Sequence, residues 1–228
     1  MLTQSTVRTR FTREAANHWL RADISSCSLL DSINLIGAAM PYCRDAEVYG
    51  ENDPADYVYR VITGAVRTYK VLGDRRRQIG AFYLPGDIFG FETSDKHSFS
   101  AEAISDAKIL FVKRSALLAL AERETGVARQ LWSITGDELR RAQDHLLLLI
   151  KTAKERVVNF LLEMAERVSD GDQLELPMSR QDIADYLGLT IETVSRTLTD
   201  LETTAAIELA SARRIVLRDR LALVRLNG

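Results

Sequence analysis

Residues 179–196, with the sequence SRQDIADYLGLTIETVSR, divide at Gly188 into two short amphipathic segments. Ser179 is placed to cap the first segment, and Asp182 three residues later completes the capping pattern. Gly188 supplies the permissive backbone that ends a helix, and Thr190 can cap the second segment. The stretch therefore predicts two helices joined by a tight turn.

The second segment has one apolar face and one polar face. Val194, Leu198 and Leu201 recur at i, i+4 and i+7, so we expect them to pack against Ile183 and Leu187 of the first helix. Arginine donates twice to guanine, glutamate accepts from cytosine, and serine or threonine adapts to either. The pattern predicts a helix-turn-helix that enters a DNA major groove, the alternative being an ordinary helical hairpin with a solvated face. The polar face carries Glu192, Ser195, Arg196 and Thr199.

Two short β-prone runs, 207–209 and 215–217, surround the basic turn ASARR at 210–214. We expect these runs to pair as the wing of a winged helix-turn-helix. Polar residues at the wing tip and at the start of the first helix would hold phosphates, which fixes the register on DNA without reading sequence. For the wing arginines the alternative is a solvated turn. The phosphate candidates are Ser179, Arg180, Arg213 and Arg214.

The charge balance excludes a large basic surface. The whole chain carries 30 Lys and Arg against 32 Asp and Glu, a net charge of −2, and residues 151–228 carry 11 against 13, which is also −2. DNA binding would therefore depend on a few arginines gathered on one face. We expect a weak non-specific affinity that falls steeply with salt.

The composition is that of a globular protein with room for two domains, because the chain has 228 residues, 46% apolar and 27% charged. No apolar run approaches the roughly 20 residues of a membrane span, so we expect a cytoplasmic protein with no membrane contact. Cys27 and Cys43 are too few for a disulfide framework or a four-cysteine metal site. We expect free thiols, although a thiol switch stays open.

The N-terminal half is predicted to be mostly β. Four β-prone runs, at 57–62, 66–71, 79–83 and 107–112, are separated by turn signals, the first three of them at roughly the 8–12-residue spacing of an antiparallel sandwich or barrel. From residue 114 the pattern becomes helical, with a long helix running to about residue 150 and another over 151–168. The fold class is therefore α+β.

The long helix carries an apolar stripe that needs a partner. A self-paired coiled coil would cover it, and a two-fold pair would read a palindrome with half-sites about 34–36 Å apart. The alternative is a core helix covered by its own domain. We predict an N-terminal extension (1–30), a β domain (31–121), a dimerisation helix (122–151) and a DNA-binding domain (152–228). The stripe consists of Leu139, Leu146, Leu149 and Ile150.

Three motifs in this order resemble the CRP/FNR superfamily of bacterial transcription regulators. YLPGDIFG at 83–90 is similar to the family's turn motif in the β-roll. KERV at 154–157, together with Phe160 and Leu161, is similar to the family's linker after the dimer helix. Residues 179–188 are similar to its first DNA-binding helix. The resemblance spans about residues 30–225. It implies an antiparallel β-roll of the jelly-roll, cyclic-nucleotide-binding type, a long dimerisation helix and a winged helix-turn-helix, acting as a homodimer that contacts double-stranded DNA and RNA polymerase.

The recognition segment ETVSR at 192–196 resembles the E-x-x-S-R pattern of the FNR-type branch, which binds half-sites of the form TTGA paired with TCAA. This resemblance makes Glu192, Ser195 and Arg196 the base-reading residues. Ile191 and Thr193 lie beside them and can touch a thymine methyl or the edge of the half-site.

Two departures from relatives point to one branch of the family. The iron–sulfur members of the family need a cysteine-rich N-terminus and four ligands, whereas this chain has only Cys27 and Cys43. The cyclic-nucleotide members need an arginine that binds the cyclic phosphate, and in the corresponding segment 94–103 this chain has only Lys96 and His97 as basic residues. The chain thus resembles the FixK branch, whose members activate microaerobic, denitrification and nitrogen-fixation genes without a required cofactor. The alternative is an effector-gated regulator that uses haem at His97, an iron–sulfur cluster, a thiol switch or a cyclic nucleotide.

Nothing in the sequence indicates an enzyme or a metal site. His18, His97 and His145 are scattered, and no glycine-rich phosphate loop or Ser/His/Asp set has a recognisable context. A lone loop histidine such as His97 is expected to be solvated.

Overall fold

The computed structural model of the chain describes residues 28–227. Most of the predicted N-terminal extension (1–30), together with His18 and Cys27, lies outside the described residues. Within them the helices are α1 (Leu29–Ile36), α2 (Arg114–Arg123), α3 (Thr125–Leu148), α4 (Ala153–Val168), α5 (Arg180–Leu187), α6 (Ile191–Thr203) and α7 (Arg220–Leu226). The strands are β1 (Ala38–Tyr42), β2 (Glu47–Tyr49), β3 (Tyr57–Thr63), β4 (Val66–Val71), β5 (Arg77–Tyr83), β6 (Ile88–Phe89), β7 (Ser100–Ala103), β8 (Ala107–Lys113), β9 (Ser169–Asp170), β10 (Gln173–Glu175), β11 (Ile207–Leu209) and β12 (Arg214–Leu217).

The first eight strands form a β-roll of two four-stranded antiparallel sheets, ordered β1-β8-β3-β6 and β2-β7-β4-β5. Side chains from both sheets meet in an aromatic core in which Phe89 stacks between Tyr59 and Tyr83, with ring centroids 5.2 and 4.8 Å away. The four predicted strands are confirmed to within one or two residues at their ends. The antiparallel α+β fold is confirmed, whereas the sequence patterns missed β1, β2, β6 and β7.

Helix α3 leaves the β-roll and leads to the second half of the molecule. It spans 24 residues and ends at Leu148, two residues before the predicted end of the long helix. Leu149 and Ile150 lie in the turn that follows, and α4 begins at Ala153. The connection between the two halves is therefore only four residues long.

The C-terminal half places α5 and α6 on α4, with a small sheet ordered β11-β12-β10-β9 beside them. The predicted wing strands are confirmed, since Ile207 pairs with Leu217 and Leu209 with Ile215 in antiparallel register. Strand β10 joins the sheet by pairing Leu174 with Ile215, a contact that the sequence patterns did not indicate. The wing is therefore anchored on the segment between α4 and α5.

The two halves share one apolar cluster. Phe82 of β5 lies against the C-terminal half, with its ring centroid 6.3 Å from that of Phe160 in α4 and 5.2 Å from that of Tyr186 in α5. Ile79 and Leu84 of the β-roll belong to the same buried cluster. The β-roll and the helix-turn-helix therefore pack against each other through a continuous core.

None of the helices between residues 28 and 227 combines the length and the apolarity that crossing a membrane requires.

Candidate DNA interface

Helix α5 begins and ends as its sequence predicts. The Ser179 hydroxyl accepts a hydrogen bond from the Asp182 amide at 3.1 Å, and the Asp182 carboxylate accepts from the Ser179 amide at 2.8 Å, which completes the capping box. Gly188 ends the helix with a φ of 63°, a left-handed conformation that other residues adopt only with strain. The turn between α5 and α6 is thus fixed by local chemistry.

Helix α6 is oriented by its apolar face. The Thr190 side chain caps it by accepting from the Thr193 amide at 3.2 Å. Val194, Leu198 and Leu201 are buried in the same cluster as Ile183 and Leu187 of α5. Burial of three aliphatic side chains fixes which face of α6 points outward, and the predicted packing of the two helices is confirmed.

The outward face of α6 carries the five predicted base-reading residues. Ile191, Glu192 and Arg196 are exposed, and Thr193 and Ser195 are half-buried. Among the side chains that the structure describes, no ion pair engages Glu192 or Arg196. Their charged groups are therefore free to meet an external partner without breaking an internal ion pair.

The four phosphate candidates lie in different settings. Both donors of Ser179 are used in the capping box, because its hydroxyl also donates to the Asp182 carboxylate at 2.7 Å. Arg180 and Arg213 are half-buried, whereas Arg214 is exposed at the first position of β12. None of the three arginines has a carboxylate partner among the described residues, so their positive charges are uncompensated.

The wing is tied directly to the recognition helix. The Glu202 carboxylate near the end of α6 accepts from the amide of Leu209 in β11 at 3.0 Å. The Arg218 guanidinium donates through Nε to Glu208 at 2.9 Å, which fastens the outer strand. The wing is therefore hydrogen-bonded to the end of α6, which places the basic turn beside the polar face.

The predicted dimer stripe is largely open along α3 and the turn after it. Leu139, Leu146 and Ile150 are 60%, 66% and 82% exposed, whereas Leu149 is half-buried. Trp132, which was not predicted as part of this stripe, is 83% exposed and lies one heptad before Leu139. The seven-residue spacing of 132, 139 and 146 was the signal that could have found it.

The β-roll, α3, α4 and α7 line an open cleft of about 1270 Å³ that contains more carboxylates than cationic groups. Arg141 pairs with Glu138 at 2.5 Å, and Arg167 pairs with Asp87 at 2.6 Å, so these two cations are already neutralised. Burial raises the pKa of Glu138. Seven carboxylates (Asp87, Glu92, Asp137, Glu138, Asp144, Glu163, Glu166) and five cationic groups (Arg140, Arg141, Lys151, Arg167, Arg220) line the cleft.

The expectation that His97 is solvated is wrong. Its ring is 1% exposed and stacks on Tyr49 with centroids 3.6 Å apart, because the loop before β7 folds back over β2. Nδ1 lies 3.9 Å from the Glu92 carboxylate. Burial lowers the pKa of His97, against the opposing effect of Glu92. His97 is thus a neutral member of the β-roll's aromatic core.

No group of three His, Cys, Asp or Glu side chains that could hold a metal ion occurs in the part of the chain that the structure describes. Cys43 is an exposed free cysteine in the same part.

Comparison with known proteins matches both halves of the chain to family patterns. Residues 155–226 match the Crp-like helix-turn-helix domain, and residues 39–124 match the cyclic nucleotide-binding domain. The two matched segments leave out the whole of α3, which joins them.

Relatives align over most of the chain. The nitrogen fixation regulation protein FixK of Azorhizobium caulinodans is 52% identical over 85% of this chain and 80% of its own length. The transcriptional activatory protein AadR of Rhodopseudomonas palustris is 42% identical over 68% of this chain and 67% of its own. The solved structure of FixK2 from Bradyrhizobium japonicum has a TM-score of 0.82 and 54% identity, covering 85% of this chain and 98% of that one.

Proposed function

We infer the function of this chain from its family, because it belongs to the CRP/FNR family of transcription regulators and to the FixK-like branch of it. It is a transcription regulator with a helix-turn-helix DNA-binding domain, and it is not an enzyme. The roles of its individual residues are proposals that rest on the geometry of the DNA interface.

We propose that α6 lies in the major groove of a TTGA-N6-TCAA type palindrome. Glu192, Ser195 and Arg196 contact base edges, with Arg196 donating twice to a guanine and Glu192 accepting from a cytosine. Ile191 and Thr193 contact the edge of the half-site. The observation that carries this proposal is the exposed face of α6, whose charged side chains have no ion-pair partner within residues 28–227.

Phosphate contacts fix the position of that helix. Arg180 at the first turn of α5 and Arg213 and Arg214 in the wing hold the backbone on either side of the half-site. Ser179 belongs to the same set through the helix N-terminus that it caps, where the helix dipole favours a phosphate. Because these charges are few, we expect low non-specific affinity and a specificity that depends on few base contacts.

The regulator acts as a homodimer paired along α3. Trp132, Leu139, Leu146 and Ile150 form an exposed apolar line that water would otherwise hydrate, and pairing two copies would cover it. A two-fold dimer places two copies of α6 about one helical turn of DNA apart, which matches a palindromic site. The proposed division into a β-roll (31–121), a dimerisation helix (122–151) and a DNA-binding domain (152–228) follows from this arrangement.

We propose that the targets include nitrogen-fixation genes and that the regulator activates them through contact with RNA polymerase. The nitrogen-fixation targets are supported by the name of the Azorhizobium relative, and activation by the name of the Rhodopseudomonas one. Microaerobic and denitrification genes belong to the same proposal.

A cyclic nucleotide does not fit the β-roll, although the family pattern implies one. The segment 94–103 contains no arginine, His97 is buried in the aromatic core, and the cleft beside α3 holds more carboxylates than cations. A cyclic phosphate entering that cleft would meet repulsion from carboxylates, and its pairing with Arg141 or Arg167 would break the ion pairs that these arginines already form. We therefore propose that DNA binding needs no cofactor.

The test is the affinity of purified protein for a TTGA-N6-TCAA duplex and for a scrambled duplex, at two salt concentrations, with and without cyclic AMP. We expect selective binding without effector, and a steep loss of affinity for the scrambled duplex as salt rises. Binding that appears only with the nucleotide would overturn cofactor independence. Equal affinity for both duplexes would overturn the proposed palindrome.

A further inference from the structure

A cluster of five charged side chains joins the β-roll to the helix-turn-helix. Arg67 of β4 donates to Glu102 of β7 at 2.8 Å and to Asp182 of α5 at 2.6 Å. Arg77 of β5 donates to the same Asp182 oxygen at 3.0 Å and to Asp185, one turn along α5, at 3.1 Å. We call these five residues the interdomain ion-pair cluster.

The cluster acts on the residue that builds the start of α5. One carboxylate oxygen of Asp182 accepts from both arginines, and the other accepts from the Ser179 amide and hydroxyl at 2.8 and 2.7 Å. The β-roll is therefore bonded to the same carboxylate that caps the first helix of the DNA-binding motif. A shift of α5 relative to the β-roll would break either the ion pairs or the cap.

Burial makes the cluster specific in geometry. The side chains of Arg67 and Asp182 are 8% and 5% exposed, so each has lost most of its hydration and depends on the other for compensation. Compared with a pair of apolar residues at the same positions, a buried ion pair adds little net stability. Arrangements in which one of the two charges stays buried without its partner are nevertheless strongly disfavoured. The apolar cluster around Phe82 holds the two halves together by hydrophobic contact, which is non-directional, whereas the ion pairs define one orientation.

A second attachment prevents rotation about the first. Arg167 of α4 donates to the Asp87 carboxylate in the β-roll turn at 2.6 Å and to the Phe82 carbonyl at 3.0 Å. The connection between α3 and α4 is four residues long, and a single attachment point would still allow the DNA-binding unit to turn. Two attachment points, on α4 and on α5, fix that unit against the β-roll.

The orientation that results leaves the DNA-binding surface uncovered. The polar and charged side-chain bonds from β4, β5 and the β-roll turn reach α5 or α4, and none of them reaches α6, within the described residues 28–227. Glu192 and Arg196 stay exposed while the cluster is formed. The cluster therefore does not compete with DNA.

The geometry points to Arg67 and Arg77 as positioning residues for DNA binding: through Asp182 and Asp185 they hold the helix-turn-helix in the orientation that meets DNA. In this chain the ion pairs hold the helix-turn-helix in its DNA-binding orientation, so that no bound effector is needed to do so. This inference rests on the proposed function, since it assumes that α6 reads DNA without an effector.

The test compares Arg77→Asp, Arg77→Asp with Asp185→Arg, and Arg76→Asp in the full-length dimer. Arg76 is the matched control, because its replacement removes the same charge from the same hairpin while its side chain is 79% exposed and pairs only with Asp74 among the described residues. One readout is hydrogen exchange of residues 77–83 and 180–187 without DNA. The other is the Kd for the palindromic duplex, with the active fraction measured separately by stoichiometric titration.

We expect Arg77→Asp to speed exchange in both segments and to weaken cognate binding about tenfold, the size of coupling between contacting charges, with the active fraction unchanged. The charge-swapped double variant should bind the palindrome more tightly than Arg77→Asp but more weakly than the wild type, because the exchange restores an ion pair between positions 77 and 185 while an acidic side chain at position 77 still faces Asp182. Arg76→Asp should change the affinity by less than about twofold. A variant that is partly unfolded would have a lower active fraction, while the Kd of its folded fraction would be unchanged. A variant in which the helix-turn-helix is misplaced would have a higher Kd with an unchanged active fraction.

Three results would overturn the inference. The first is unchanged hydrogen exchange of residues 77–83 and 180–187 in Arg77→Asp. The second is an Arg77→Asp variant that binds the palindrome as tightly as Arg76→Asp or more tightly. The third is a double variant that binds the palindrome no more tightly than Arg77→Asp. A wild-type protein that fails to distinguish the palindrome from a scrambled duplex would overturn the proposed target instead. In that case the exchange comparison still decides whether the cluster holds α5 to the β-roll.

Discussion

The two halves of the molecule use their charged side chains in opposite ways. In the DNA-binding half, Glu192, Arg196 and Arg214 are exposed and have no ion-pair partner among residues 28–227. In the β-roll and α3, Arg67 and Arg141 are paired with carboxylates of the same chain. The polar face of α6 and the wing turn keep their charges available to an external polyanion, whereas Arg67 and Arg141 use theirs to hold the molecule together. A site that binds an outside partner must leave hydrogen-bonding capacity unused.

The strongest test of this contrast removes the apolar side chain that joins the two halves. Phe82→Ala should lower the free energy of unfolding by about 3–5 kcal/mol, because a buried phenyl ring is removed and a cavity remains. Chemical denaturation measures the change, and Val71→Ala on the exposed end of β4 is the control, expected within about 0.5 kcal/mol. If Phe82→Ala melts the β-roll and leaves the DNA-binding half unchanged, the two halves do not share a core.

The next test concerns base reading on the exposed face of α6. Arg196→Ala should lower affinity for the cognate duplex by about 1–3 kcal/mol at each half-site, because a bidentate interaction with one base is removed. Affinity for a scrambled duplex should change much less. Competition binding with both duplexes measures the difference, and equal losses on the two would contradict the assignment of Arg196 as a base reader.

A smaller and qualitatively different effect is expected in the wing. Arg213→Ala should weaken binding to cognate and scrambled duplexes alike, because an interaction with phosphate carries no sequence information. The slope of log K against log salt should become shallower by about 0.9 for each phosphate that is no longer neutralised. Titrations at four or more salt concentrations measure the slope. A weakening confined to the cognate duplex would show that Arg213 reads bases.

The smallest effect is expected from the buried histidine of the β-roll. Burial lowers the pKa of His97 in the folded protein relative to its unfolded value of about 6.5. The stability that this shift contributes is present above the unfolded pKa and is lost as the pH falls through the folded pKa. Denaturation between pH 7 and pH 5 should therefore show falling stability, and His97→Gln should reduce that fall.

His145 is buried as well, and burial lowers its pKa too, so the single variant should keep part of the pH dependence. DNA affinity corrected for folded fraction should be unaffected by His97→Gln, because the residue lies in the β-roll core. A variant that changes affinity and leaves the pH dependence of stability intact would reverse this assignment.

The sequence determined the helix-turn-helix almost completely. Its capping box, its left-handed Gly188 and its buried i, i+4, i+7 face all depend on residues a few positions apart, and all are confirmed. The longer strands of the β-roll were predicted for the same reason, since a run of five or more β-prone residues bounded by turns is a local signal. The family motifs added the order of the parts.

Tertiary structure alone decided which side chains became partners across the chain. Strand β6 has two residues and β2 has three, so only pairing with distant strands defines them. The burial of His97 depends on Tyr49, and the ion pair between Arg67 and Asp182 joins residues 115 positions apart. A local sequence pattern predicts where a helix is capped, where the chain turns and which face of a segment is buried. Which distant charge it meets is set only when the halves pack, because that pairing depends on geometry that no short stretch of sequence contains.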